Sequence, residues 1–225
     1  MPRLLLALVT LLLRTTVAPA APGAMPASMQ CSSYKLRRYQ PADKPFVIKI
    51  FCDNIREEWG ELHHGGQYLP NAERYIRSVV DDDSSDLNSV DEVYFAKGGH
   101  FWTLTHTTPQ EDGSADSATE TVVGMCGLEV ISETEVELRR MCIDRNHRRN
   151  GCGSQIMIPA MLERAKAMDG VRRITLSTPE HGANVIRFYK KNGFVDMLDG
   201  DGNPKRDLNI HGTPIHEAFL ELVLP

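Results

Sequence analysis

The chain is predicted to fold as an α+β protein, with one mixed, mostly antiparallel central sheet and flanking helices. Three observations predict it. Segments rich in β-branched and aromatic residues crowd between Val93 and Ile143 with no helical period among them. From Glu135 to Phe194, strand and helix patterns alternate. A final strand-like run, "IHEAFLELVL", closes the chain. Strands first, then strand–helix–strand–helix, is the order of a mixed layer with helices packed on it. The 225 residues suffice for one substantial core, and 41% hydrophobic with 24% charged residues is an ordinary globular balance. The sequence contains no internal repeat.

Each element has its own signal. "YKLRRYQ", from Tyr34, alternates weakly and reads as a short strand. In "PADKPFVIKIFCDNIREEWG", Phe46, Ile50, Cys52 or Asp53, and Ile55 recur three or four apart, a helix with Pro41 near its first turn. Gly60 and "HHGG" break it, and "LPNAERYIRSVV" reads as a second helix. "DDDSSDLNSVDE", residues 81–92, is acidic and poor in apolar residues, hence a loop. "VYFAKGG", "FWTLTHT", "TVVGMCGLEVI" and "EVELRRMCI" read as strands. The polar stretch 108–120, "TPQEDGSADSATE", has a disorder-like composition. After Gly153 the period changes. Ile158, Met161, Leu162, Ala165 and Met168 fall on one helical face, and Gly170 stops the helix. Pro159 inside it predicts a kink costing about 3 kcal/mol. "VRRITLST" is a strand, and "GANVIRFYKKNGF" is a helix closed by Asn192-Gly193.

Charge and cysteines bound the function. A net charge of -5 gives no reason to expect nucleic acid or an anionic membrane as partner. Five scattered cysteines without a CxxC pair read as reduced thiols, which favours an intracellular compartment. The N-terminus argues partly against this. Residues 1–28 hold Arg3, an apolar run from Leu4 to Leu13 and an Ala-Pro-Ala exit, like a secretory signal. No acidic residue precedes Asp43, as in a mitochondrial presequence. Translation starting at Met25 or Met29 is the other reading. The apolar run is too short to span a bilayer well, so no stable membrane span is expected. No Asn-x-Ser/Thr sequon occurs. His63-His64 stands without a cysteine or acidic partner at ligand spacing, so no metal is expected.

The stretch "RRNGCGSQIM" carries the chemistry. A strand ends at Ile143 and a helix opens near Gly153, so first-turn N–H groups and the positive end of the helix dipole face outward. Anions bind there, and pyrophosphate is the best match. Gly151 and Gly153 remove Cβ atoms from the backbone's approach, while Arg148 and Arg149 add charged donors. Ser154-Gln155 after Gly153 excludes a Walker ending, and Ile156 stands where a dinucleotide motif needs a third glycine.

Taken whole, "VELRRMCIDRNHRRNGCGSQIM" resembles the acetyl-CoA motif of the GNAT N-acetyltransferase family, Arg/Gln-x-x-Gly-x-Gly/Ala after a strand. "NVIRFYKKNGF" resembles the family's Asn-x-x-x-x-Tyr-x-x-x-Gly-Phe helix end, and the opening "YKLRRYQPADKPFV" is similar as well. The resemblance spans residues 34–225 and implies one acyl-CoA N-acyltransferase domain there. It implies a bulge that splays the strand ending at Ile143, with Met141, Cys142 and Ile143 pairing the pantetheine arm; plain strand packing is their other reading. It implies that Arg148, Arg149, Asn150, Gly151, Cys152, Gly153 and Ser154 hold the pyrophosphate of acetyl-CoA, and that Asn184 reaches the same cofactor. Tyr189 would protonate the leaving sulfur, or else pack as a core aromatic. Glu137 would be the general base, or else a strand residue paired to Arg139. Glu57, Glu58 and Glu61 fall near the family's substrate-side loop and would attract a cationic amine, but they read first as a solvated helix end. The implied reaction is acetyl transfer to a primary amine, on a small molecule or a protein, by direct attack in a ternary complex. A CoA-binding interaction module without catalysis is the alternative. Homodimers are common in the family, and nothing in this sequence decides the matter.

Overall fold

The computed structural model describes residues 31–61, 65–108, 119–180, 182–208 and 216–225. The segment 1–28, the His63-His64 pair and most of the polar stretch 108–120 lie outside the described residues. Among the described residues, eight strands form a single sheet: β1 (Tyr34–Arg38), β2 (His100–Thr108), β3 (Thr119–Ser132), β4 (Glu135–Ile143), β5 (Arg173–Pro179), β6 (Val195–Asp196), β7 (Arg206–Leu208) and β8 (His216–Val223). Their order is β1-β2-β3-β4-β5-β8-β6, with β7 also on β8. The β4–β5 pair is parallel, and the other pairs are antiparallel. This is the mixed, mostly antiparallel sheet that the sequence predicts.

Four helices cover it: α1 (Lys44–Arg56), α2 (Leu69–Val80), α3 (Ile158–Lys166) and α4 (Ala183–Lys191). Strand alternation builds a core on each face. Phe101 and Met125 point toward α1 and α2, where Val47, Ile50, Phe51, Ala72 and Ile76 meet them. Trp102, Leu104 and Leu128 point toward α3 and α4, joined by Met157, Met161, Tyr189 and Phe194.

Two expectations are corrected. "VYFAKGG" is not a strand: Asp91–Phe95 winds into a wide, π-type turn. Leu87, Val90 and Tyr94 are buried at spacings of three and four, so one-sided packing under the sheet overrides the aromatic and β-branched propensity of Val93 to Phe95. Nor does Pro159 interrupt a regular α-helix. Gly153–Met157 forms another wide turn in which Ile158 N–H reaches Gly153 O, and Pro159 falls at the start of α3. There a proline removes no needed donor.

The junction between β4 and β5 positions the site. The two strands pair only from Glu135–Arg173 to Glu137–Thr175 and then separate. A bulge causes this, as the β3–β4 register shifts between Met125 and Gly127. Opposite the shift, Arg140 takes a left-handed backbone, φ 54°. Such a conformation strains a residue with a Cβ and persists only when its surroundings hold it. Here the guanidinium is the anchor. It donates twice to Asp86 at 2.8 Å and once to the Tyr75 hydroxyl at 2.9 Å, and it lies over the Phe51 ring. Tyr94 donates to the same Asp86 carboxylate at 2.7 Å. Burial alone would raise the Asp86 pKa, but the bonds and charge of Arg140 outweigh it and hold it below the usual aspartate value.

Candidate functional site

Beyond Glu137 the separated strands open onto a cleft of about 1090 Å³, roofed by the end of α1 and floored by the glycine turn and the start of α4. All thirteen residues that the sequence singled out line it. Met141, Cys142 and Ile143 are half-buried along the separated strand. Asn184 is exposed in the first turn of α4. Tyr189, five residues further along α4, is 7% exposed, with Phe188 and Phe194 packed edge-on at 5.3 and 5.6 Å.

The glycine turn has an open donor array. From Arg149 onward, the first N–H with a backbone acceptor among the described residues is that of Gln155, bonded to Gly151 O at 2.9 Å. The conformation needs its glycines for two different reasons. Gly151 has φ 82°, which an L side chain rarely adopts. A Cβ on Gly153 would stand 3.0 Å from the Phe188 ring, so this glycine lets α4 approach the turn. Arg149 also has positive φ, 65°, and is exposed.

The arginines divide their work differently from the sequence expectation. Arg148 faces inward, with Nε on Ile143 O at 2.7 Å, Nη1 on Glu57 at 3.0 Å and Nη2 on Asn54 at 3.2 Å. Its side chain ties the turn to α1. Arg149 has no ion-pair partner among the described residues, and its charge stands free at the cleft. Asn150 donates to Tyr34 Oη at 2.9 Å, and Tyr34 in turn bonds His147 Nδ1 at 3.0 Å. Cys31 Sγ donates to Asn150 O at 2.9 Å and lies 3.6 Å from Cys152 Sγ. Burial first, then Cys31, pushes the Cys152 thiol up to about 12. Asn192 reaches Ser154 Oγ at 3.2 Å.

Among the titratable groups of the cleft, Tyr189, Glu137 and Glu58 bear on proton transfer. Burial raises the Tyr189 hydroxyl, with the negative charge of Glu58 adding to it, so the phenol stays protonated throughout the physiological range. Burial also raises Glu137, against the pull of Arg139 at 3.9 Å and with a further push from Glu129, Glu217 and Glu135. Glu58 is raised to about 7, first by burial and then by Glu57, with Arg148 opposing. Sequence reasoning left Glu58 on a solvated helix end. The structure places it in the cleft, because α1 ends in a wide turn, Glu57–Glu61, that rotates the facing of consecutive residues.

Among the described residues, no group of three His, Cys, Asp or Glu side chains is placed to hold a metal, and no helix is long and apolar enough to cross a membrane.

Comparison with known proteins follows the same lines. The family model described as an acetyltransferase (GNAT) domain matches residues 97–196. No curated protein sequence matches the chain. Among solved structures, an acetyltransferase of the GNAT family from Staphylococcus aureus Mu50 superposes with a TM-score of 0.57 at 19% identity, over 85% of this chain and 99% of that one. PaiA N-acetyltransferase from Thermoplasma acidophilum, in complex with coenzyme A, gives 0.57 at 16% identity, over 85% and 99%. Spermidine N-acetyltransferase from Vibrio cholerae, in complex with CoA and spermine, gives 0.50 at 15%, over 85% and 96%. Residues 97–196 thus match the acetyltransferase (GNAT) domain model, and the chain shares the fold of these structures.

Proposed function

We propose that this protein is an acetyl-CoA-dependent N-acetyltransferase that moves the acetyl group to a primary amine by direct attack in a ternary complex. One observation carries the reading: an open donor turn, a separated strand edge and a buried, protonated tyrosine line one cleft. The fit to acetyl-CoA rests on this chain's own geometry. The N–H groups from Arg149 to Ser154, with the Arg149 guanidinium, suit a pyrophosphate. The Met141–Ile143 edge, out of reach of β5, suits an extended arm with amide groups. The Thermoplasma and Vibrio enzymes are crystallised with coenzyme A, which supports the same assignment.

Acetyl-CoA supplies an activated carbonyl and a sulfur leaving group. The acceptor amine attacks that carbonyl carbon, the C–S bond breaks, and the Tyr189 hydroxyl donates its proton to the departing sulfur. The departing thiolate, whose conjugate acid has a pKa of ~8.5, takes the proton from a phenol in contact with it, and the position of Tyr189 in the cleft allows that contact. Asn184, at the mouth, holds the cofactor arm. The acceptor is an alkylamine of a small molecule or a protein.

The test is acetyl-CoA binding by calorimetry together with thiol release in the presence of n-butylamine, putrescine and a lysine tripeptide. Wild type binds and releases thiol with at least one amine. Tyr189→Phe keeps the affinity and loses roughly 100-fold in kcat. Binding without turnover on any amine would leave an interaction module in place of an enzyme. A folded wild type that does not bind would overturn the cofactor assignment itself.

A further inference from the structure

The wide turn at the end of α1 sends three neighbouring side chains into three environments. Glu57 is taken by Arg148, Nη2 to Oε2 at 2.9 Å. Trp59 is 2% exposed and stacks on Tyr75, with centroids 5.4 Å apart and an interplanar angle of 11°. Between them, Glu58 is half-buried in the cleft wall, and no hydrogen bond or ion pair reaches its carboxylate among the described residues. A half-buried carboxylate without a protein partner is left for whatever enters the cleft to face. An ammonium group is such a partner.

We propose that Glu58 is the catalytic base of acetyl transfer, receiving the proton of the acceptor ammonium from the α1 wall of the cleft. The assignment rests on the acetyltransferase reading above. Its surroundings support it from every packed element. Glu57 lies on its own turn, Arg148 on the glycine loop, Cys142 on the separated strand and Tyr189 on α4. Glu58 and Tyr189 line the same cleft, and the Glu58 charge adds to the rise of the Tyr189 hydroxyl. Glu137 is differently placed. It still pairs across the β4–β5 ladder with Thr175, at the closed end of the gap, and Arg139 stands 3.9 Å from it.

The proton inventory closes. The ammonium gives one proton to the Glu58 carboxylate, and the freed nitrogen forms the C–N bond. As the C–S bond breaks, Tyr189 protonates sulfur. The second nitrogen proton, lost as the amide forms, restores the Tyr189 hydroxyl. Glu58 then releases its proton to water, one per turnover. A carboxylate raised from 4.5 to about 7 binds that proton roughly 300-fold more tightly than an ordinary one, yet is still about half ionised at pH 7.

The test is the pH dependence of kcat/KM with n-butylamine or putrescine, whichever is turned over, from pH 5.5 to 9. Below its pKa of ~10 the amine arrives as the ammonium, so the reactive complex needs only Glu58 ionised. Wild type therefore rises with a slope of one below pH 7 and breaks to a plateau near pH 7, whereas an enzyme without this base must wait for the neutral amine and keeps rising with a slope of one through pH 9. Glu58→Gln loses the break and at least roughly 100-fold in rate at pH 8. Glu58→Asp restores part of the break, and both variants bind acetyl-CoA with unchanged affinity. Glu137→Gln keeps the break. A break that survives in Glu58→Gln, or that vanishes in Glu137→Gln alone, overturns this assignment and leaves the enzyme reading intact. No turnover by wild type that binds acetyl-CoA overturns both.

Discussion

Replacing Asp86 with alanine removes the anchor of the bulge that parts β4 from β5. The side chains of Asp86 and Arg140 are 5% and 12% exposed, and three short hydrogen bonds converge on the carboxylate, two from Arg140 and one from Tyr94. The variant strands a buried guanidinium and a buried phenol. Breaking a buried pair by removing one partner costs about 3–5 kcal/mol. For a chain of this size that lowers the melting midpoint by roughly 6–20 °C. Circular dichroism melts and urea titrations measure it, and calorimetry should show weakened acetyl-CoA binding as Arg140 leaves its strained backbone. Adding Arg140→Met should recover much of the stability, because an apolar pair replaces the stranded charge. The pH sign follows from the depressed Asp86 pKa. Its contribution is complete above the unfolded value of about 3.8 and is lost as pH falls below that. The acid limb of the stability curve should therefore flatten in Asp86→Ala. A loss under about 1 kcal/mol, or a cofactor affinity unchanged by the variant, would refute the idea that this pair holds the cleft open.

Other outcomes are expected at the glycine turn. Gly151→Val places a branched residue at φ 82°, a strain of about 1–2 kcal/mol, and should cost acetyl-CoA affinity at least tenfold by calorimetry. Equal affinity would remove this turn from the cofactor site. With Sγ atoms 3.6 Å apart, Cys31 and Cys152 should be joined by the oxidant diamide into a disulfide. Non-reducing peptide mass mapping would find the linked pair two hydrogens lighter, and dithiothreitol would reverse it. Protection of the pair by bound acetyl-CoA would place the ligand against the turn.

Much of the fold was legible because its signals are local. The strand "EVELRRMCI" and the helix "LPNAERYIRSVV" form with the bounds read from their periods. The gathering of Gly151, Asn184 and Tyr189 into one cleft was legible through spaced motifs. What escaped depends on contacts far apart in sequence or on a change of helical pitch. Asp86 sits in an acidic stretch that reads as solvated, yet it partners Arg140, 54 positions away. Arg148 and Arg149 are adjacent and chemically alike, and only the presence of Glu57 and Asn54 beside one of them decides which is free. Glu58 was obscured because a regular 100° step per residue does not describe a π-type turn. The sequence "VYFAKGG" was misread because propensity outweighed a three-and-four spacing that begins upstream, at Leu87.

The short β4–β5 ladder has a consequence for how long the molecule lasts. Among the described residues, the ladder between the half-sheet β1–β4 and the half-sheet β5–β8 has only three residue pairs along their common seam. Past Glu137 each half presents backbone groups that the other does not reach, a sheet edge hidden inside the protein. An extended ligand lying there completes the seam as an added strand would. If acetyl-CoA is that ligand, supply at 100 times its dissociation constant adds about 2.7 kcal/mol to folding. Proteolysis that samples the opened chain slows in proportion, by about a hundredfold. The abundance of the protein would then track the supply of its own acyl donor without any separate sensor.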